Sequence, residues 1–263
     1  MLSDLTIGQY LPLDSPVHRL DPRTKLLAVT AVVTLLFLVQ GFPGYGLIAA
    51  FLGVAVGCSR ISIRYLFRGL RPLWFIILIT LAIHLFMTEG RVLAYLGPLR
   101  MTYEGLSRGL LMAVRLILLI AFTSLLTLST SPIALTDGIE SLLSPFRRFG
   151  VPAHELAMMM TIALRFIPTL LEEAEKIMKA QMARGADFES GHLMQRAKNL
   201  VPLLVPLFVG AFRRADELAT AMEARCYRGG EGRTKFHPLV MKRADWVVLA
   251  GTVLFAVVVA WWF

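Results

Sequence analysis

Residues 106–128 read LSRGLLMAVRLILLIAFTSLLTL, twenty-three positions whose only charges are Arg108 and Arg115. A helix needs about 20 predominantly apolar residues to cross a bilayer, and this one has them. The fold class follows: an all-α integral membrane protein. The whole composition agrees, with 56% hydrophobic residues and a mean hydropathy of +0.66, too apolar for an ordinary soluble domain.

Working outward, residues 73–87 predict the preceding span and residues 246–263 the last. Trp246 at one end of the last span and Trp261-Trp262 at the other stand about 24 Å apart on a helix, the pattern of an aromatic belt at each interface. Residues 26–40 (LLAVTAVVTLLFLVQ) and 45–58 are briefer. The tight Gly41-Phe42-Pro43-Gly44 turn between them predicts a helical hairpin, shallow or tilted. The expected total is five spans. The first apolar run begins only near Leu26, after Asp4, Asp14 and Asp21, so no cleavable signal peptide is expected.

Orientation comes from the loops. Residues 59–72 carry Arg60, Arg64, Arg68 and Arg71 and no acid, which predicts a cytoplasmic connection. The N-terminus, with Arg19, Arg23 and Lys25 beside the first span, is then inside. The loop with Arg91 and Arg100 and the C-terminus are outside, and Lys242 and Arg243 mark the inner end of the last span. The net charge of +9 is accounted for by these basic loops, so no nucleic-acid partner is expected. Cys58 and Cys226 fall on the inner side and are read as reduced thiols.

The expected organisation is a cytoplasmic segment (1–25), four spans (26–128), a long cytoplasmic region (129–243) and a last span (244–263). The long region predicts helices over about 132–149, 153–185 and 192–227. The second is apolar first and charged later, with Glu172→Lys176 and Glu175→Lys179 in the supporting order and Pro168 at the changeover as a kink. The third is punctuated by Pro202 and Pro206, with Gly229-Gly230 and Gly232 beyond it as a stop. Both read as long, partly membrane-embedded helices.

The ends of these two helices repeat. Residues 174–185 read AEKIMKAQMARG and residues 215–226 read ADELATAMEARC. Each copy sets an aliphatic residue, a small residue and an arginine on one helical stripe: Ile177, Ala180, Arg184 and Leu218, Ala221, Arg225. A guanidinium is a rigid fork that pairs bidentately with carboxylates. Small neighbours let such a tip sit close to a partner's backbone. A single arginine there is explained by the helix dipole alone; two with matching flanks favour docking into acidic grooves on another protein.

Catalytic chemistry is hard to place. There is no H-E-x-x-H, no G-x-S-x-G and no carboxylate set with metal spacing, so neither catalytic nor metal-ligating residues are assigned. No G-x-x-x-x-G-K-[ST] occurs, no cofactor is implied, and any energy for work must come from another protein. Ionisable residues inside spans are few: His84, near an outer end, Arg108, and Arg115, which demands a partner. Asp21-Pro22 reads as an N-cap and first-turn proline, with Arg23 and Lys25 as inner-face anchors.

Gly8-Gln9-Tyr10, then SPVHRLDPRTKL over 15–26, resembles the opening signature of the transmembrane T components of energy-coupling factor (ECF) transporters. Leu164-Arg165-Phe166-Ile167-Pro168, Ala183-Arg184-Gly185 and Ala224-Arg225 look like the rest of it, so the resemblance covers nearly the whole chain. It implies a four-part ABC-type importer of the prokaryotic plasma membrane. Two cytoplasmic ATPase subunits would dock on Ala183, Arg184, Gly185 and on Ala224, Arg225, Cys226. A small membrane S component would capture a vitamin or, as the lesser alternative, a transition-metal ion. Cys226 departs from the pattern, standing where the family has its second glycine and leaving the sharp helix end to Gly229-Gly230. The competing readings are a conventional ABC permease that forms the path itself, and an intramembrane hydrolase, for which no nucleophile–base pair is found.

Overall fold

The computed structural model describes residues 10–96, 99–186, 188, 192–230 and 238–262. Gly8 and Gln9 of the opening signature, Gly232 of the expected stop and Phe263 lie outside them. The described chain forms nine α-helices and one β-hairpin: α1 (Pro22–Leu38), α2 (Phe42–Ser59), α3 (Ile63–Leu70), α4 (Trp74–Met87), β1 (Val92–Leu96), β2 (Leu99–Thr102), α5 (Tyr103–Ser129), α6 (Pro132–Leu143), α7 (Ala153–Ala183), α8 (Leu193–Ala224) and α9 (Arg243–Trp262). The chain divides into two compact units, Gly8–Gly138 with Leu239–Phe263, and Ile139–Pro238.

Among the described residues five helices are long and apolar enough to cross a membrane: α2, the nearly continuous Ile63–Met87, α5, α7 and α9. Their number equals the expected total of five spans, and by length and composition alone the set takes in α7 and leaves out α1. The expected first span, α1, has only 17 residues, about 26 Å of helix against a hydrocarbon core of about 30 Å. The helix α7 also meets both measures by length and composition.

The first unit is built around α1. Asp21 caps it by accepting a hydrogen bond from the Arg23 backbone N–H, and Pro22 occupies the first turn, where no amide donor is needed. The opposite face of the helix buries Val32, Leu35 and Leu36 against Tyr45 and Ile48 of α2, Leu118 and Phe122 of α5, and Val259 of α9. Phe51 stacks on Phe255 at 4.7 Å between ring centroids. In a bilayer the tails are as apolar as leucine, so close packing and polar ties hold helices together more than water exclusion does. Glycines supply the closest approach: a Cβ on Gly105 would stand 2.5 Å from the His84 carbonyl, so α4 and α5 touch there only because no side chain intervenes.

Polar ties close both ends of α1. At its C-terminal end, Arg115 Nε donates to the Tyr45 hydroxyl at 2.8 Å. Its Nη2 reaches the Val39 carbonyl at 3.4 Å. The cation thus sits on the negative end of the helix dipole, and the partner that the sequence demanded is the α1–α2 turn. At the N-terminal end the reading of Lys25 as a simple inner-face anchor is corrected. Lys25 is 6% exposed, and its Nζ donates to the Ser129 carbonyl at 2.9 Å and the His18 carbonyl at 3.2 Å. Asp245, 2% exposed, accepts from the Asp21 backbone N–H at 2.8 Å and from the Lys242 N–H, also at 2.8 Å. Arg23 bridges Asp21 at 3.0 Å. Burial pushes the Asp21 carboxyl up, but the Arg23 hydrogen bonds outweigh it and leave the group more acidic than usual. Two acids and two bases therefore staple α1, α5 and α9, where the sequence had offered an N-cap and basic anchors.

Two connections also differ from expectation. Residues 59–72 are not open loop: their amphipathic pattern folds as α3, and a 3-10 turn over Arg71–Leu73 joins it to α4. The loop between α4 and α5 is an antiparallel hairpin with Leu96 opposite Leu99. Its exit is fixed by Thr102, which accepts from the Gly105 N–H at 3.1 Å and donates to the Thr88 carbonyl at 2.7 Å.

Candidate functional site

The two arginine tips lie in the second unit. The helix α6 ends at Leu143 because Pro145 lacks an amide proton; Ser144 Oγ takes the Ser141 carbonyl instead, at 2.9 Å. The chain tightens into a 3-10 turn through Phe149 and reverses at Gly150, φ +84°. From Ala153 α7 then runs through Pro168 without interruption to Ala183.

Both helix ends are the same machine part. At the end of α7, the Gly185 N–H donates to the Met182 carbonyl at 2.9 Å and the Ala186 N–H to the Gln181 carbonyl at 3.0 Å. At the end of α8, the Cys226 N–H donates to the Glu223 carbonyl at 2.9 Å and the Tyr227 N–H to the Met222 carbonyl at 3.0 Å. These paired six-to-one and five-to-two bonds are the Schellman motif, which requires a left-handed residue just past the helix. Gly185 supplies it at φ +86°, and Cys226 supplies it at φ +57°. The expectation that Gly229-Gly230 takes over the second helix end is thereby corrected: α8 stops at Ala224, as abruptly as α7 stops at Ala183. Holding a cysteine in that conformation costs on the order of 1 kcal/mol, so Cys226→Gly would preserve the tip and recover about that much stability.

The motif turns the chain away and leaves the arginine as the last residue before the reversal. Ala183, Arg184, Gly185, Ala224, Arg225 and Cys226 are all exposed. Among the described residues, neither arginine side chain makes a hydrogen bond or ion pair; their backbone N–H groups close the helix ends onto the Gln181 and Met222 carbonyls. The fork of each guanidinium faces solvent, open to an acidic surface.

The helices α7 and α8 run antiparallel. Tyr227, two residues past Arg225, donates its hydroxyl to Met158 Sδ at 3.1 Å. Ile162, Phe166 and Leu170 of α7 face Ala211, Ala215, Leu218 and Met222 of α8 across a shared hollow. At the far end of that seam Arg214 grips Glu173 at 2.6 Å, with Gly210 beneath the carboxylate. Arg225 thus lies beside Met158 at the start of α7, while Arg184 lies at its end. Twenty-six positions separate Met158 from Arg184 on α7, about 40 Å of helix. The two tips therefore stand well apart on the α7–α8 pair. Sequence repetition alone could not show this, because the antiparallel register is a long-range property.

The tip of α8 has further support that sequence reading missed. His154 Nδ1 lies 3.0 Å from Glu140 Oε1. A side chain on Gly230 would collide with the His154 ring, at 2.6 Å from Cδ2. The return strand after Arg225 is therefore pressed onto the first turn of α7. The seam is finished on its open side by an exposed apolar run of α8: Val201, Val205, Phe208, Val209 and Phe212.

Comparison with known proteins bears on the same residues. The family described as "Cobalt transport protein" matches residues 14–236, which take in both arginine tips. A protein of Thermosediminibacter oceani is 63% identical over 256 residues, covering 97% of each chain. One of Heliobacterium modesticaldum is 57% identical over 262 residues, covering 99% of this chain and 98% of its own. One of Bacillus subtilis is 49% identical over 257 residues, covering 97% of each. All three bear the name "Energy-coupling factor transporter transmembrane protein EcfT".

Proposed function

This chain belongs to the family of energy-coupling factor transporter transmembrane proteins, and from that premise we propose that it couples two cytoplasmic ABC-type ATPases to a small substrate-binding S component. Its bacterial relatives and its five apolar helices make it a multi-pass protein of the plasma membrane. The observation that carries the coupling reading is the pair of identical helix ends, each presenting an exposed arginine, set about 40 Å apart.

In this reading residues 129–243 are the coupling region, with the N-terminus inside and the C-terminus outside. Each ATPase receives one guanidinium in an acidic groove, Arg184 in one subunit and Arg225 in the other. ATP-driven approach of the two ATPases draws the ends of α7 and α8 with them. Paired at Glu173–Arg214, the two helices respond together rather than bending independently. The exposed face of α8 from Val201 to Phe212 transmits the motion to the S component, which is apolar where it contacts lipid and coupling helix alike. The chain itself does no chemistry; hydrolysis belongs to the ATPases and cargo selection to the S component. The cargo is taken as a vitamin, with a transition-metal ion, the cargo named in the matching family's description, as the alternative.

Composition of the purified complex tests this. Isolated from its host in mild detergent, the chain should bring two different ABC ATPases and at least one small hydrophobic protein, whose binding specificity then decides vitamin against metal. Recovery of one ATPase type with an extracytoplasmic binding protein would return the chain to the conventional permease class.

A further inference from the structure

From α3 through the 3-10 turn and into α4, the side chains sort into three stripes. One is buried: Leu66 packs with Ala121, Leu125 and Leu128 of α5, and Ile77 packs with Ala113 and Ile120. Between them Gly69 meets α5 so closely that an added Cβ would stand 2.8 Å from Ser124 Oγ. That contact fixes which way the helix is turned.

The other two stripes face outward by necessity. Arg64, Arg68 and Arg71, spaced by four and three, share one exposed line, and Arg60 precedes them in a left-handed C-cap at φ 56°. Beside this line Ile63, Phe67 and Trp74 are 61%, 65% and 65% exposed. Arg68 lies over the Tyr65 ring at 5.5 Å. No aspartate or glutamate occurs between Ser59 and Thr88; among the described residues none of Arg64, Arg68 and Arg71 forms an ion pair with a carboxylate, while Arg19 holds the Asp14 carboxyl down and Arg60 lies near enough to help.

We propose that this stripe is a binding site for anionic phospholipid headgroups. Trp74 opens the apolar helix α4, and Ile63–Met87 as a whole is about 37 Å of helix against a hydrocarbon core of about 30 Å, so its first turns, in α3, stand at the membrane surface, the depth at which phosphates lie. A guanidinium matches a phosphate bidentately. A helix with arginines on one line and large apolar side chains on the next lies in the interface, its apolar side among the acyl chains. Retention of a loop on one side of the membrane requires only basic residues in any arrangement; it does not require them aligned beside exposed Ile63, Phe67 and Trp74. An acidic protein surface would satisfy the arginines and leave those three apolar side chains in water, whereas a phospholipid satisfies both lines.

The lipid measurement uses the full chain without partner proteins, so it stands or falls separately from the coupling reading. With Trp246, Trp261 and Trp262 replaced by phenylalanine, Trp74 is the remaining tryptophan and reports the lipid beside it. Its fluorescence is measured in phosphatidylcholine vesicles containing chain-brominated phosphatidylglycerol or chain-brominated phosphatidylcholine. The expected result is a relative binding constant severalfold in favour of phosphatidylglycerol, falling as salt is added. Arg64→Gln, Arg68→Gln and Arg71→Gln together should bring it to about one. Should that variant not fold, the three lysine replacements keep the charge, lose the fork and should give an intermediate value. Equal quenching by the two lipids in the parent chain overturns the proposal, as does a preference unchanged in the substituted chain. Loss of ATPase association in the glutamine variant, with no lipid preference in the parent, would reassign the stripe to a protein contact.

Discussion

Neutralising both arginine tips, with Arg184→Gln and Arg225→Gln together, is expected to abolish uptake while leaving substrate binding by the S component intact. Charge-assisted contacts buried in an interface commonly cost about 2–5 kcal/mol each when one partner is truncated, largely because the carboxylates opposite are left unpaired. Two such losses lower ATPase affinity by several orders of magnitude. Each single change should be milder, because the second tip, about 40 Å away along α7, still holds its own subunit. The helix ends themselves should survive, since the Schellman bonds are made by backbone groups. The assay is uptake into vesicles, with S-component binding measured in parallel. Wild-type uptake by the double variant would remove the docking assignment.

The second large effect is expected in the first unit. Asp245→Asn should lower the stability of the first unit by on the order of 3 kcal/mol, because it leaves Arg23 and Lys25 with one buried carboxylate between them. Geometry adds to the charge. Both Asp245 oxygens accept backbone N–H groups, from Asp21 and from Lys242, and an amide presents a donor to one of them. The consequence is a melting temperature lower by about 10 °C in detergent, followed by tryptophan fluorescence. A loss of less than about 1 kcal/mol would mean that water reaches the cluster and that the staple is ornamental.

His18 joins the same cluster and gives it a pH sense. Burial first, and the Lys25 ammonium second, hold its imidazole below the ordinary value. The folded state therefore resists protonating His18 more than the unfolded chain does. Its contribution to stability is present above the unfolded value and is lost as pH falls through the folded one.

Much of this was legible in the sequence, for physical reasons that differ from place to place. The apolar runs declare themselves because a bilayer imposes length and composition on each crossing helix. The arginine tips were legible because a helix end is a local event, written in the Ala-Arg order and repeated. Cys226 misled because a left-handed residue is normally announced by glycine, and here the backbone bonds of the motif impose it on a cysteine. Lys25 misled for the opposite reason: basic residues beside an apolar run usually reach outward to water, and nothing nearby in sequence announces that Asp245, 220 positions away, is there to receive the charge. The antiparallel register of α7 and α8, which separates the two tips, rests on pairs such as Glu173–Arg214 that no local pattern encodes.

The central claim, one ATPase on each tip, is tested most directly by cross-linking from the tips themselves. In a Cys58→Ser background the native thiol of Cys226 stands beside Arg225. A companion chain with Cys226→Gly and Gly185→Cys moves the thiol beside Arg184. Cys226 itself shows that this motif accepts a cysteine at the left-handed position. Each thiol, carrying a photoreactive cross-linker in the native complex, should capture an ABC ATPase, and the two tips should capture different subunits. Capture of no ATPase from either tip, or of the same single site from both, would contradict the account.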